Sequence, residues 1–449
     1  MKDLLIVLAR RFHSWVSELD SIRLLLLGYT SYVVLGWLVL CLPIAQQSSG
    51  LKILDHLFMA TSAVSTTGLT TVSTSDSYNF IGELVLLLLI QFGGLGYMTL
   101  SSFTMLALVG QLSPMRQRMS STSLSLPQGF EVRAFLRVIV GFTLIIETIG
   151  ALALYPVFAR HAVPQPVWNA VFHSVSAFCT AGFSLFNDNF ESYCDDVQLN
   201  AVIAALSYLG AIGFIVMHDL WRSLRHLKPN ITLTSKVILA STVWISLAGT
   251  VLFALDKPAV KALPQGQRWM ASLFQVMTAS TTVGFNTIPV AGLSASSMLL
   301  MTLLMIVGAS PSGTGGGLKT TTFTALWAAM MSVVRRRDKT TFLGREIPEH
   351  RMRSAVATMM FYTLTLAAGI YALALVEKSP LPDQMFECAS ALGTVGLSRG
   401  ITASLTPLGK FTIIALMFLG RVGPVGLGMA FFRQAQKQAG PTPQEDVAI

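Results

Sequence analysis

The sequence predicts an all-α membrane protein, and its composition, its long apolar stretches and a repeated glycine pattern lead to that prediction. Of the 449 residues, 53% are hydrophobic and only 12% are charged, and the mean hydropathy is +0.62. This composition is too apolar for an ordinary soluble protein. Eight stretches approach or exceed the roughly 20 residues that cross a bilayer. They lie at residues 24–42, 80–108, 135–158, 197–220, 237–255, 296–333, 355–376 and 408–432.

One short pattern occurs four times in the same register. Each copy has a Phe ten residues before a Gly, a Ser or Thr six before it, an Ala five before it and a Thr two before it. The four glycines are Gly68, Gly182, Gly284 and Gly396, at spacings of 114, 102 and 112 residues. Repetition at a near-constant period indicates four similar structural units.

Each glycine copy falls between two apolar stretches and is too short to be a span itself. The run from Phe58 to Thr66 corresponds to about 15 Å of helix, half of what a span needs. We therefore predict eight transmembrane helices and four re-entrant half-helices, arranged as four pseudo-symmetric repeats around one pore. The predicted repeats are 23–110, 111–226, 227–334 and 335–432, with a lead-in at 1–22 and a tail at 433–449.

The distribution of positive charge predicts the orientation of the chain. If both termini are cytoplasmic, 21 of the 31 Lys and Arg residues lie in inner segments. The positive-inside rule then places the termini in the cytoplasm and the glycine loops near the outer face. The net charge of +9 is explained by this bias, so it does not indicate nucleic-acid binding.

The glycine loops have the chemistry of a cation filter. They contain no Asp, Glu, Lys or Arg, and glycine lets the backbone turn neutral carbonyl oxygens toward an ion. Neutral ligands suit a large monovalent cation better than Mg²⁺ or Ca²⁺. Close helix packing of small residues is the alternative interpretation of each single copy. The candidate K⁺-binding residues are Thr66, Thr67, Gly68, Leu69, Thr180, Ala181, Gly182, Phe183, Thr282, Val283, Gly284, Phe285, Thr394, Val395, Gly396 and Leu397.

A second glycine-rich segment interrupts the sixth apolar stretch. Gly and Pro at the density found in residues 308–317 cannot continue a helix, so we predict a broken span. A simple kink is the alternative. The segment is not a phosphate-binding P-loop, because Leu318 separates Gly317 from Lys319 and no strand precedes it. The candidate residues here are Gly308, Gly313, Thr314, Gly315, Gly316, Gly317 and Lys319.

Arg421 is an ionisable residue within the last apolar stretch. Such residues usually face a partner or a water-filled path. We expect Arg421 to hinder other cations and to pair with carbonyls of the 308–317 segment. Glu147 in the third stretch is a weaker candidate partner, and a snorkelling or helix-contact role for Arg421 is the alternative. His173 is expected to pack or to cap rather than to bind a metal.

The four glycine loops, together with the segment at 308–317 and Arg421, resemble the Trk/Ktr/HKT superfamily of potassium transporters, most closely its KtrB-type membrane subunit. The resemblance covers about residues 24–432. It implies that residues 308–317 form an intramembrane gate, and that Gly68, where a Ser often accompanies sodium transport, favours potassium. It also implies a homodimer, sodium-stimulated uptake or symport, and a cytoplasmic nucleotide-binding (RCK-type) regulatory ring. Residues 116–137 and 335–353 are the natural docking loops for that ring.

The sequence therefore predicts potassium uptake across the bacterial inner membrane and no enzyme activity or cofactor. Two other classes stay open at this point. A secondary transporter with alternating access would show inverted repeats and midplane carboxylates, whereas the repeats here share one orientation. A membrane scaffold would leave the fourfold register unexplained.

Overall fold

The computed structural model describes residues 21–96, 132–224, 231–256 and 263–423. Several predictions from the sequence lie outside these residues: most of the lead-in, the second half of the stretch ending at residue 108, most of the docking loop 116–137, the end of the last stretch and the tail. The described chain is predominantly helical, so the all-α prediction is confirmed. A single small hairpin, Thr341–Phe342 (β1) with Arg345–Glu346 (β2), is the sheet structure found among the described residues.

Eight helices lie in the described parts of the first two predicted repeats. They are α1 Ser21–Leu40, α2 Ile53–Ser65, α3 Thr74–Ser77, α4 Phe80–Leu95, α5 Val132–Arg160, α6 Pro166–Phe178, α7 Val197–Ile212 and α8 Phe214–Leu224. Of these, α2 and α6 match the predicted half-helices. Four short 3₁₀ turns also occur, at Pro43–Ala45, Glu191–Tyr193, Val290–Gly292 and Thr402–Ser404.

The helices of the third and fourth repeats follow the same order. They are α9 Leu233–Leu255, α10 Gln265–Thr281, α11 Ala295–Ile306, α12 Thr320–Val334, α13 Glu349–Val376, α14 Leu381–Gly393 and α15 Pro407–Val422. Helices α2, α6, α10 and α14 precede the pattern glycines and are hereafter called the half-helices. The next long helix after each half-helix begins at a side-chain cap. These helices are α4, α7, α11 and α15, and their caps are Asn79, Asp196, Ser294 and Thr406.

Three described helices are long and apolar enough to cross a membrane, namely α5, α9 and α13, and a fourth if the bent pair α7 and α8 is one span. Shorter apolar helices include α4, α11 and α12. The count of eight spans therefore stays a prediction. The continuous span expected at residues 197–220 is not found, because the chain turns by 94° between α7 and α8. Gly213 allows this turn, because its φ is +87° and a β-carbon placed on it would lie under 3.0 Å from the Pro311 carbonyl oxygen.

The repeats are joined head to tail in a closed ring. Helix α4 packs on the next half-helix α6, α7 on α10, α11 on α14, and α15 returns to the first half-helix α2. The Phe of each glycine pattern is at most 2% exposed and anchors its half-helix in the core. These residues are Phe58, Phe172, Phe274 and Phe386. The four loops that follow the half-helices are consequently held around one axis.

Candidate functional site

Each half-helix ends in the same strained turn. The Thr two residues before the glycine has a left-handed backbone, with φ between 50° and 62° at Thr66, Thr180, Thr282 and Thr394. The next residue donates its N–H to the carbonyl five positions back, at distances of 2.8 to 3.1 Å in all four copies. This is the Schellman arrangement, in which glycine is the usual left-handed residue.

A β-branched residue in this conformation is uncommon and costs about 1–3 kcal/mol. Four such threonines at equivalent positions indicate that their side chains are needed. Their hydroxyl oxygens face the glycine-rich segment described below. The strain is therefore localised at the candidate site.

The four pattern glycines form a ring of touching backbones. All four have positive φ, from +66° at Gly182 to +95° at Gly396. A β-carbon placed on any of them would lie under 3.0 Å from the carbonyl oxygen that precedes the next glycine. The contacts run from Gly68 to Ala181, from Gly182 to Val283, from Gly284 to Val395, and from Gly396 back to Thr67. The ring is thus closed, and glycine is required at each position by both φ and space.

The side chains next to the ring point into the core, so the backbone forms the polar surface of the ring. The residues after the glycines, Leu69, Phe183, Phe285 and Leu397, are at most 1% exposed and pack into the core. A cavity of about 530 Å³ lies against the ring, lined by all four glycines and by residues that follow them in the chain. The charged residues that line this cavity, hereafter the vestibule, are Asp188 and Glu191. The described residues of this wall carry negative charge and no positive charge, which attracts cations.

The glycine-rich segment 308–317 closes the other side of the ring. Helix α11 ends at Ile306 and α12 begins at Thr320, so the predicted interruption is present. The segment is pinched at its neck, where the Gly308 N–H donates to the Leu318 carbonyl over 2.8 Å. It also rests on the turn at Gly213: the Ser310 N–H donates to Ala211 O, and the Thr314 N–H to Gly210 O.

This segment touches all four left-handed threonines. Thr314 bonds to Thr66 through its carbonyl (3.4 Å) and to Thr180 through its hydroxyl (3.1 Å). The Gly316 N–H donates to the Thr394 hydroxyl over 3.0 Å. A β-carbon on Gly315 would lie under 3.0 Å from the Thr282 hydroxyl. The segment therefore covers the whole ring.

Two half-buried cations, Arg421 and Lys319, hold the segment in place. Arg421 donates to Thr314 O, to Thr66 Oγ1 at 3.1 Å, and to the carbonyls of Gly93 and Gly94 at the end of α4. Lys319 donates to the carbonyls of Gly315 at 2.6 Å and Gly316 at 3.4 Å. Three consecutive carbonyls of the segment are thus bound by cations of the chain itself.

Glu147 and His173 have defined partners in the structure. Glu147 is not an Arg421 partner: its carboxylate accepts from Gln91 at 3.2 Å and lies against Cys179. His173 bonds to Asn169 O at 2.8 Å and to Ser184 at 3.1 Å. No cluster of three metal-ligating side chains is found among the described residues.

Two side chains lie behind the loops, and the sequence singled out only one of them. His173, expected to pack or to cap, and Glu387, which was not expected to have a role, both lie nine residues before a pattern glycine. Each bonds to the Ser two residues after that glycine, Ser184 or Ser398. The buried ion pair between Lys410 and Asp55 was not predicted either. The signal available in the sequence was that His173 and Glu387 are polar residues at equivalent positions of two repeats. Neither residue stands out when its repeat is considered alone.

Comparison with known proteins gives consistent results. Residues 32–437 match the profile of the family described as TrkH, cation transport protein. The chain is 34% identical over 420 residues to the Ktr system potassium uptake protein B of Vibrio alginolyticus, covering 92% of this chain and 91% of that one. It is 33% identical to the potassium/sodium uptake protein NtpJ of Enterococcus hirae, covering 90% and 91%.

A solved structure shares the fold. The crystal structure of the potassium transporter TrkH from Vibrio parahaemolyticus aligns with a TM-score of 0.74, covering 92% of this chain and 85% of that chain, at 19% identity.

Proposed function

The chain belongs to the TrkH family of cation transport proteins, and from this premise we propose that it takes up potassium across the bacterial inner membrane. The proposed filter is the ring of backbone carbonyls in the four glycine loops, from Thr66 to Leu69, Thr180 to Phe183, Thr282 to Phe285, and Thr394 to Leu397. The single observation that supports this best is the closed cycle of contacts between the four glycines. Membership of a family of cation transport proteins also agrees with the prediction that the chain is not an enzyme.

The chemistry of the ring favours a large monovalent cation. A dehydrated K⁺ exchanges its water shell for neutral carbonyl dipoles, and no carboxylate is required. The relatives are named for potassium uptake, and one is named for potassium and sodium. We therefore propose K⁺ as the transported ion, with Na⁺ stimulating or accompanying it.

Residues 308–317 are the proposed gate, and the described conformation corresponds to its closed state. The segment contacts all four threonines of the ring, and Arg421 and Lys319 bind its carbonyls. An ion that leaves the ring on this side meets backbone and two positive charges. Opening requires the carbonyls at 314–316 to leave these partners.

The arrangement around this pore follows from the charge distribution and the family. We propose that both termini are cytoplasmic, that the vestibule faces outward, and that the protein forms a homodimer in the lipid bilayer. A separate cytoplasmic nucleotide-binding ring is the proposed regulator, docked on the basic loop at 335–353. The described part of this loop has exposed arginines at 335–337, and no nucleic-acid partner is proposed.

Flux measurements on the purified chain in liposomes test this proposal. We expect radioactive Rb⁺ to enter faster than Na⁺, and deletion of Gly313–Gly317 to raise the Rb⁺ flux. Loss of flux in a deletion variant that still inserts and purifies normally would contradict the gate. Equal Rb⁺ and Na⁺ fluxes in the wild type would contradict the filter. If the chain alone is silent, the same assay with a regulatory ring added decides whether it is a pore.

A further inference from the structure

The residues two positions after the pattern glycines form a second set of oxygen-bearing side chains. They are Thr70, Ser184, Asn286 and Ser398. All four line the vestibule and are half-buried, whereas the residue before each of them is fully buried. Because the four glycines form a ring, residues at the same register from each must form a second ring just outside it.

In the second repeat, the hydroxyl proton of this residue points away from the vestibule. His173 Nδ1 lies 2.8 Å from the Asn169 carbonyl, which only accepts, so Nδ1 bears the ring proton. His173 Nε2 is then an acceptor, and it receives the Leu185 N–H (3.3 Å) and the Ser184 hydroxyl (3.1 Å). The Ser184 oxygen accepts the Phe186 N–H over 3.0 Å and keeps a further lone pair.

The fourth repeat has the same arrangement with a different acceptor. The Ser398 hydroxyl donates to Glu387 Oε2 over 3.0 Å. Its oxygen accepts the Gly400 N–H over 2.9 Å, and Gly400 lies four residues after the pattern glycine, as Phe186 does in the second repeat. The Thr402 hydroxyl lies 2.9 Å from the Ser398 oxygen and shares its proton between that oxygen and Glu387. Glu387 itself is fully buried and also accepts from Thr402.

The third repeat reaches the same result with an amide. Asn286 uses its side-chain nitrogen to donate to Glu191 Oε1 (2.8 Å) and to the Ile288 carbonyl (3.1 Å). Its oxygen is therefore the atom left for a ligand. Three different acceptors, His173, Glu191 and Glu387, thus accept hydrogen bonds from the donor groups of three equivalent residues. The oxygen lone pairs of these residues are left for a ligand. Packing alone does not require this, but a cation ligand does, because only the oxygen lone pairs attract it.

We propose that Thr70, Ser184, Asn286 and Ser398 form an outer binding site for one partly dehydrated monovalent cation, K⁺ or Rb⁺, before it enters the carbonyl ring. This inference rests on the proposed potassium filter and adds a site to it. His173, Glu191 and Glu387 are positioning residues that orient the ligand oxygens. Neutral oxygens hold the ion weakly enough for it to move on, which conduction requires.

The fourth ligand provides the cleanest test. The hydroxyl of Thr70 makes no hydrogen bond among the described residues, so Thr70→Val removes an oxygen without breaking an internal contact. Thr143→Val is the control, because the Thr143 hydroxyl is also buried without a described partner and Thr143 is not among the residues that line the vestibule. We expect Thr70→Val to raise the Rb⁺ concentration that half-saturates uptake about three- to tenfold, and Thr143→Val to leave it unchanged.

A double variant and a binding measurement complete the experiment. The double variant Ser184→Ala, Ser398→Ala should show the same rise. Crystals soaked in Tl⁺ should show anomalous density among the four oxygens in the wild type and not in the double variant. Unchanged half-saturation in both the Thr70 and the double variant, in a wild type that selects Rb⁺ over Na⁺, would overturn the outer site and leave the filter intact. If the wild type fails to select Rb⁺, the filter fails, and the Tl⁺ density alone decides the outer site.

Discussion

Lys410 Nζ lies 2.6 Å from Asp55 Oδ1, and this ion pair joins the last described helix to the first half-helix. The two side chains are only 10% and 9% exposed. Asp55 lies in the first turn of α2, where a carboxylate also interacts favourably with the helix N-terminus. The contact between α15 and α2 is the one that closes the ring of repeats. The pair therefore stabilises the closure of this ring of repeats.

Breaking this pair should destabilise the protein strongly. Asp55→Asn or Lys410→Met leaves a buried charge without its partner, which costs about 3–5 kcal/mol. Thermal unfolding in detergent measures the effect. Glu349→Gln is the control, because it breaks the pair with Arg353, whose side chains are 78% and 79% exposed, and should cost under about 1 kcal/mol. A loss as small as that of the control would show that the pair does not stabilise closure.

Gly68→Ser should reduce the selectivity for K⁺ over Na⁺. The new β-carbon would press on the Ala181 carbonyl, one of the proposed ligands of the ion. Gly50→Ser is the matched control, since Gly50 has a similar φ of +94° but no neighbour within 4 Å. We expect the ratio of Rb⁺ to Na⁺ flux to fall at least about tenfold in Gly68→Ser, and to stay at the wild-type value in Gly50→Ser. An unchanged ratio in both would contradict the filter assignment.

The ring could be predicted from the sequence because it depends on backbone geometry. A positive φ combined with a neighbouring carbonyl leaves glycine as the residue that fits, so Gly68, Gly182, Gly284 and Gly396 mark the loops directly. The broken helix at 308–317 was predictable for the same reason, since Gly and Pro limit the backbone locally.

Side-chain partners were less predictable because they depend on which helices meet. The sequence indicated that Arg421 needs a partner in the 308–317 segment. One of its observed partners is a carbonyl of that segment, at Thr314. The carbonyls of Gly93 and Gly94 come from another repeat, and no local pattern identifies them. Glu147 was a wrong expectation for the same reason: depth in the membrane does not specify the helix that a side chain faces. The turn at Gly213 was missed because a contact with residue 311 determines it.

Gly316→Ala should open the proposed gate in part. The added methyl group would overlap the Thr394 hydroxyl, which now accepts the Gly316 N–H. Overpacking of this kind costs about 1–3 kcal/mol, and here the cost falls on the closed state. We expect basal Rb⁺ flux to rise about fivefold or more. Gly292→Ala is the control, because nothing lies within 4 Å of its β-carbon position. A lower flux than in the wild type would indicate that the segment does not act as a gate.

Uptake should weaken as the external solution becomes acidic, because Glu191 loses its charge. Partial burial raises the pKa of this vestibule carboxyl above its usual range, while the Asn286 amide acts in the opposite direction. A carboxyl with a raised pKa becomes neutral at a higher pH than an exposed one. Protonation then removes one of the negative charges that draw cations into the vestibule.

We expect Rb⁺ uptake at low Rb⁺ to fall about two- to threefold as the pH is lowered from about 7 through the raised pKa of Glu191, and Glu191→Gln to have low uptake that is independent of pH in this range. The maximal rate at saturating Rb⁺ should change little, because the charge concentrates the ion and does not form the ring. Asp195→Asn is the control, since Asp195 is exposed on the same loop and is not among the residues that line the vestibule. A pH dependence that persists in Glu191→Gln would place the titrating group elsewhere in the protein.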